Sequence, residues 1–230
     1  MAQLILSLLA SFDAHLDGLP VTHFRSDKAR ALLAYLVVEA DRPHTRAKLA
    51  GLLWPDYPES AALTYLRHAL SNLRKILADK ERKPPLIRVK KESIQFAFAE
   101  GCTSDFTQLS HALTTLAKQG VTTLTEQTMF ALQAALATYH APFLDGFAVA
   151  DSDRFEEWLL LTRERLHRQV IGALETLANY HLAHHDAAQA ILTLQRYLEI
   201  EPTSEEIHRR LMALLASDGR RSAALAQFER

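Results

Sequence analysis

The sequence predicts two folds in succession, an α+β winged helix over residues 1–101 and an all-α domain over residues 102–230. Three observations carry this. From Leu4 to Leu16 apolar and polar residues alternate, the period-two signature of a strand. Between Ser26 and Lys91, two short helices, a third amphipathic helix and a basic hairpin follow one another in the order a winged helix requires. From Asp105 onward the pattern carries no strand signal and the apolar spacing is helical.

Taken in order, Leu4, Leu6, Leu8, Ala10, Phe12, Ala14 and Leu16 share one strand face. This apolar start lacks the basic leader of a signal peptide, and Asp13 interrupts it. Asp17-Gly18 is a hairpin signal, with Leu19 to His23 returning. Ser26 or Asp27 caps a first helix, which buries Ala29, Leu32, Leu33, Leu36 and Val37 and stops at Asp41-Arg42-Pro43. Thr45 caps a second helix through Leu53, burying Leu49, Leu52 and Leu53. The loop Trp54-Pro55-Asp56-Tyr57-Pro58 is stiffened by two prolines, with Trp54 packed on the core. The third helix runs roughly from Ser60 to Ala78, with Leu63, Leu66, Leu70, Leu73 and Leu77 in one stripe. Lys83-Pro84-Pro85 breaks the chain. Leu86 to Val89 and Ile94 to Phe98 then pair around Lys90, Lys91 and Glu92 as the wing. The domain boundary falls at Gly101 to Ser104.

In the second half, helices are expected over about 105–118, 122–139, 152–182, 187–200, 204–217 and from 220 onward. Breaks fall at Gly120, Ala141-Pro142, His184-His185-Asp186, Pro202 and Asp218-Gly219. Trp158 is expected in the core of this domain. Leu177 and Leu211, Ala190 and Ala224, and Leu194 and Phe228 each lie 34 residues apart. That period, the alanines where paired helices cross and the closing Pro202 resemble the tetratricopeptide repeat. Only part of a second unit is present, so the sequence is expected to be truncated at its C-terminus, or to hide Leu225 and Phe228 in a homodimer.

Charge is unevenly placed. The net charge is −1, yet Ala61 to Lys91 carries nine basic residues against Asp79 and Glu81. A near-neutral chain with one such patch points to a localised polyanion site. Opposite the leucine stripe of the third helix stand Thr64, His68, Ser71, Asn72 and Lys75, flanked by Arg67 and Arg74, with no acid between Ala61 and Ala78. Short donors and acceptors suit base edges, and the cations beside them suit phosphates. Arg88, Lys90 and Lys91 extend this set into the wing. These ten residues are the candidate DNA-binding set.

Other chemistries are poorly supported. His181, His184, His185 and Asp186 have helical spacing, but they fall at a helix end and turn, without an HExxH motif or paired carboxylates, so no metal site is expected. There is no glycine-rich phosphate loop, GxSxG or nucleophilic Cys-His arrangement, which argues against an enzyme and against a cofactor. The single cysteine, Cys102, fits a reducing cytoplasm. No run reaches the ~18 apolar residues of a membrane span.

Several stretches resemble the Streptomyces antibiotic regulatory proteins of the AfsR/DnrI type. They are Lys28 to Ala34, Leu49 to Asp56, Leu66 to Arg74, Arg154 to Trp158 and Asp218 to Leu225. The resemblance implies an OmpR-like winged helix followed by a bacterial transcriptional activator domain. It also implies binding to double-stranded promoter DNA, usually direct repeats, and activation through RNA polymerase. In OmpR-like proteins polymerase is contacted by the loop before the third helix, which makes Asp56, Tyr57 and Glu59 candidates. His68 stands where relatives more often carry glutamine, and the Lys-Lys-Glu wing tip departs from their glycine-rich one, so both bear on operator choice. The expected function is therefore a DNA-binding transcriptional activator. The alternative is a repeat-based interaction adaptor that does not bind DNA.

Overall fold

The alternation from Leu4 to Leu16 folds into two strands, not one. In the computed structural model, which describes residues 3–119 and 125–229, β1 (Leu4–Ser7) and β2 (Asp13–Leu16) run antiparallel with Leu4 opposite Leu16. Ala10, at φ 110°, lies in the reversal between them. Leu4, Leu6, Leu8 and Ala14 are buried as the alternation requires. At the next turn Asp17 and Gly18 both have positive φ, 53° and 79°, the condition of a type I′ hairpin. β3 (Leu19–Pro20) then pairs with β2.

The three helices follow closely as expected. α1 (Asp27–Val38) starts at Ser26, whose side chain accepts from Ala29 N–H, and α2 (Arg46–Leu53) starts at Thr45, which accepts from Lys48 N–H. Both caps satisfy an N–H that the helix itself leaves free. α3 (Glu59–Ile76) buries Leu66, Leu70 and Leu73, with Leu77 just beyond its end, while Leu63 is half-buried. The wing is β5 (Ile87–Val89) and β6 (Ser93–Phe96), with Val89 opposite Ile94.

Two short strands escape the periodicity argument. β4 (His44–Thr45) adds to β6, making the wing three-stranded in the order β4-β6-β5. β7 (Cys102–Ser104) pairs in parallel with β1, completing a sheet ordered β3-β2-β1-β7. Strands of two or three residues are too short for alternation to register.

The remaining helices are α4 (Asp105–Gln119), α5 (Glu126–Leu136), α6 (Asp153–Ala183), α7 (Ala187–Ile200), α8 (Glu205–Ser217) and α9 (Arg221–Phe228). The break expected at Gly120 and the helix start expected at 122 lie outside the described residues. Packing gathers residues 1–110 and 138–164 into one compact unit and residues 111–137 and 165–230 into another.

In the first unit, Asp105 at the start of α4 accepts from Leu8 N–H and Leu9 N–H, at 2.8 and 3.0 Å. Leu144 N–H donates to Leu8 O, and Arg163 holds the carbonyls of Phe143 and Leu144. Trp158 is placed differently from expectation. It packs against Tyr35 of α1 at 4.9 Å, as well as Phe143 and Phe155, and its indole N–H donates to Glu39 Oε1. Its tryptophan surface therefore belongs to the winged-helix packing and not to the repeat core.

The second unit holds the repeat. Leu177, Ala190, Leu194, Leu211 and Ala224 are buried, as a stack of 34-residue units predicts. Arg210 on α8 donates to Asn179 on α6 at 2.6 Å. Leu225 and Phe228 on α9 are 68% and 76% exposed. Among the described residues, no helix is long and apolar enough to cross a membrane.

Candidate nucleic-acid interface

The candidate surface is built on α3. Its leucine stripe is held against α1 and α2, and this turns Thr64, Arg67, His68, Ser71 and Lys75 outward, all of them exposed. The Thr64 hydroxyl donates to Ser60 O at 2.9 Å, the usual back-bond of a helical threonine. Arg67, His68, Ser71 and Lys75 make no ion pair among the described residues. Arg88, Lys90 and Lys91 are likewise exposed on the wing.

Two members of the predicted set are engaged inside the fold. Asn72 is only 8% exposed; its Oδ1 accepts from Arg25 N–H at 3.0 Å and its Nδ2 donates to His23 O at 3.2 Å. Arg74 donates from Nε to Asp79 Oδ2 at 3.1 Å, and its side chain is 33% exposed. The Asp79 carboxylate is wholly buried and also accepts from Leu86 N–H at 2.6 Å and Ile87 N–H at 3.1 Å. Arg74 thus ties the end of α3 to the first strand of the wing. Asn72 ties the middle of α3 to the loop before α1.

The wing tip has a clamp that the sequence did not disclose. Arg46, at the start of α2, donates from Nε to Lys91 O at 3.0 Å and from Nη2 to Lys90 O at 3.3 Å, while its own N–H donates to Glu92 O. These bonds fix the backbone of the tip and leave the Lys90 and Lys91 ammonium groups outward. Gln95 on β6 donates to Ala40 O, fastening the wing to the end of α1. Asp79, one of only two acids within the basic window, is the sequence signal for the Arg74 pairing.

The loop before α3 is built around aromatic contacts. Trp54 is buried, as expected, and its ring lies 6.2 Å from that of Tyr65. Tyr57 stands edge-on to Tyr65 at 5.1 Å, and Lys28 Nζ lies within 6.0 Å of both the Trp54 and Tyr57 rings. Burial holds the Lys28 ammonium below the usual lysine range, against the pull of Asp151 and Asp56. Asp56 and Glu59 are exposed. Glu59 sits in the first turn of α3, where a carboxylate also favours the helix dipole.

With this geometry in place, residues 103–230 match the bacterial transcriptional activator domain. The chain belongs to that family. Over 208 residues this bacterial transcriptional activator domain protein is 27% identical to the regulatory protein AfsR of Streptomyces griseus, covering 88% of this chain and 20% of AfsR. It is 39% identical over 70 residues to the transcriptional regulatory protein EmbR of Mycobacterium tuberculosis, covering 30% of this chain and 18% of EmbR. The chain spans about a fifth of the length of these curated relatives. A solved structure of M. tuberculosis EmbR, in complex with a low-affinity phosphopeptide, superposes with a TM-score of 0.67 at 24% identity. That match covers all of this chain and 59% of the EmbR chain, and it supports the winged-helix and helical-repeat architecture. The AfsR-type resemblance read from the motifs is met.

Proposed function

We propose that this chain binds promoter DNA through the exposed face of α3 and the basic wing, and activates transcription by contacting RNA polymerase. The observation that supports this best is a set of exposed cations, Arg67 and Lys75 on an α3 face free of acids and Arg88, Lys90 and Lys91 on the wing. Thr64, His68 and Ser71 supply hydroxyl and imidazole groups for base edges. Lys75, Arg88, Lys90 and Lys91, each neutralising one phosphate, would give log affinity a slope of about −3 to −4 against log salt. The preferred site is a direct repeat, bound by more than one copy.

Asp56, Tyr57 and Glu59 are the proposed polymerase contacts. Their loop is held by Trp54, Tyr65 and Lys28, so it presents a fixed acidic edge.

Selection of bound sequences from random duplex DNA, followed by binding across a range of salt, tests the first claim. A single enriched motif with steep salt dependence is expected; no enrichment and a flat response would favour the adaptor reading. In vitro transcription with Asp56 and Glu59 both changed to Ala tests the second. Activation should fall while DNA affinity holds, and normal activation would refute the assignment.

A further inference from the structure

On the observation that Asn72 is buried and bonded at both ends of its amide, we infer that the loop Thr22–Arg25 is a second DNA-contacting element. In it Arg25 meets a backbone phosphate, and Asn72 acts as a positioning residue instead of reading a base. The inference rests on the DNA-binding reading above and extends it to a segment outside α3 and the wing.

Asn72 uses both groups of its amide within the fold. Its carbonyl oxygen takes the Arg25 N–H and its amide donates to His23 O, so both hydrogen-bonding groups point into the fold. Asn72 keeps one spare N–H and one spare lone pair, but at 8% exposure it has little surface to offer a base edge, although it sits between exposed Ser71 and, three residues on, exposed Lys75. What it does instead is tie the segment His23 to Arg25 to α3.

The loop so held has the chemistry of a phosphate contact. Arg25 is exposed, and its guanidinium makes no hydrogen bond or ion pair among the described residues. A groove of about 600 Å³ runs between the two elements. Thr22, His23, Arg25, Ser71 and Lys75 form its polar wall. Asn72 and Ile76 of α3 also line it, the β2–β3 hairpin adds apolar side chains, and among the described residues no acid lines the groove. The nearest acid along the loop, Asp27, is paired with Arg30 at 2.7 Å. Two cations and two hydroxyls without a carboxylate select an anion. That anion is a phosphodiester because of where the groove lies. A helix about 10–12 Å across fills a major groove about 12 Å wide, so elements packed alongside it meet the phosphate strands.

The test uses the intact chain and its selected duplex, measured over a range of salt. Arg25→Ala should weaken specific and non-specific DNA alike by about 3–10-fold and lower the salt slope by about one, with the preferred sequence unchanged. Arg25→Lys should restore the slope. Asn72→Ala should act in the same direction, with the base preference again unchanged. Should Asn72→Ala fold poorly, the Arg25 pair still decides the matter, because Arg25 is exposed. An unchanged slope in Arg25→Ala, in a chain that otherwise binds DNA, overturns the inference alone, as it would if a small anion occupied the groove. A changed base preference at one position in Asn72→Ala overturns it too. Failure of the unaltered chain to bind any duplex overturns both this inference and the reading beneath it.

Discussion

A carboxylate with no solvent exposure needs donors, and Asp79 has three: the backbone N–H groups of Leu86 and Ile87 and the Arg74 guanidinium. Asp79→Ala leaves two buried N–H groups unmatched, so a stability loss of about 2–5 kcal/mol is expected in urea unfolding. Arg74→Ala, with its side chain partly exposed, should cost about 1 kcal/mol, seen in the same titration. Arg67→Ala should leave stability unchanged and cost roughly 1–3 kcal/mol of DNA binding where the guanidinium reaches a guanine. The two arginines are seven residues apart on one helix and looked equivalent in the sequence. They separate because α3 ends near Arg74, and the chain that folds back past Asp79 brings a partner that local spacing could not foretell. Cys102 is a simpler case. Burial pushes its thiol up to about 11, so labelling with a thiol reagent at pH 8 should be slow until the protein is unfolded.

At the scale of elements, the sequence reading was strongest where burial is periodic and long. Ser26 and Thr45 were legible as caps, and α1, α2, α3, α7 and α8 begin and end within a residue or two of their expected limits. It was weakest for β4 and β7, whose two and three residues exist because a neighbouring strand offers free hydrogen bonds, a tertiary cause with no local signature. The candidate surface followed the same division. The outward residues of α3 follow from its leucine stripe, whereas the Arg46 clamp joins residues 44 and 45 positions apart. Arg46→Ala should therefore cost little stability, about 1 kcal/mol or less, but speed hydrogen exchange at Lys90 to Ser93 and weaken DNA binding through a loosened tip. Unaltered exchange at those amides would remove the clamp from the account. Trp158 was legible as an apolar anchor and not as a partner of Tyr35. Trp158→Ala, at a half-buried site, should cost about 2 kcal/mol in unfolding experiments.

For the molecule as a whole, pH dependence should come partly from the repeat unit. His181 has a buried Nε2 without a hydrogen-bond partner among the described residues, and burial holds its pKa below 6.5 against the opposing pull of Asp186. The folded state then binds fewer protons than the unfolded one between that lowered value and 6.5. Stability should fall as pH drops below about 6.5 and be fully restored above it. The urea midpoint should be lower at pH 5.5 than at pH 7.5, and His181→Phe should narrow that difference. The first unit has its own dependence on distant sequence. Residues 1–101 alone would lack β7, Asp105 and Trp158, so they should melt earlier and less cooperatively than the same residues within the intact chain.

The parallel pairing of β7 with β1 bears on how such regulators can diverge. The family match begins at residue 103, inside a strand that completes the sheet of the preceding domain. A recombination event cutting there would give each daughter gene half of a hydrogen-bonded ladder. Hybrid regulators made by exchanging DNA-recognition modules should therefore function only when the crossover also carries Cys102 to Asp105 and a compatible surface for Trp158. In this architecture the unit of inheritance is larger than the unit of recognition.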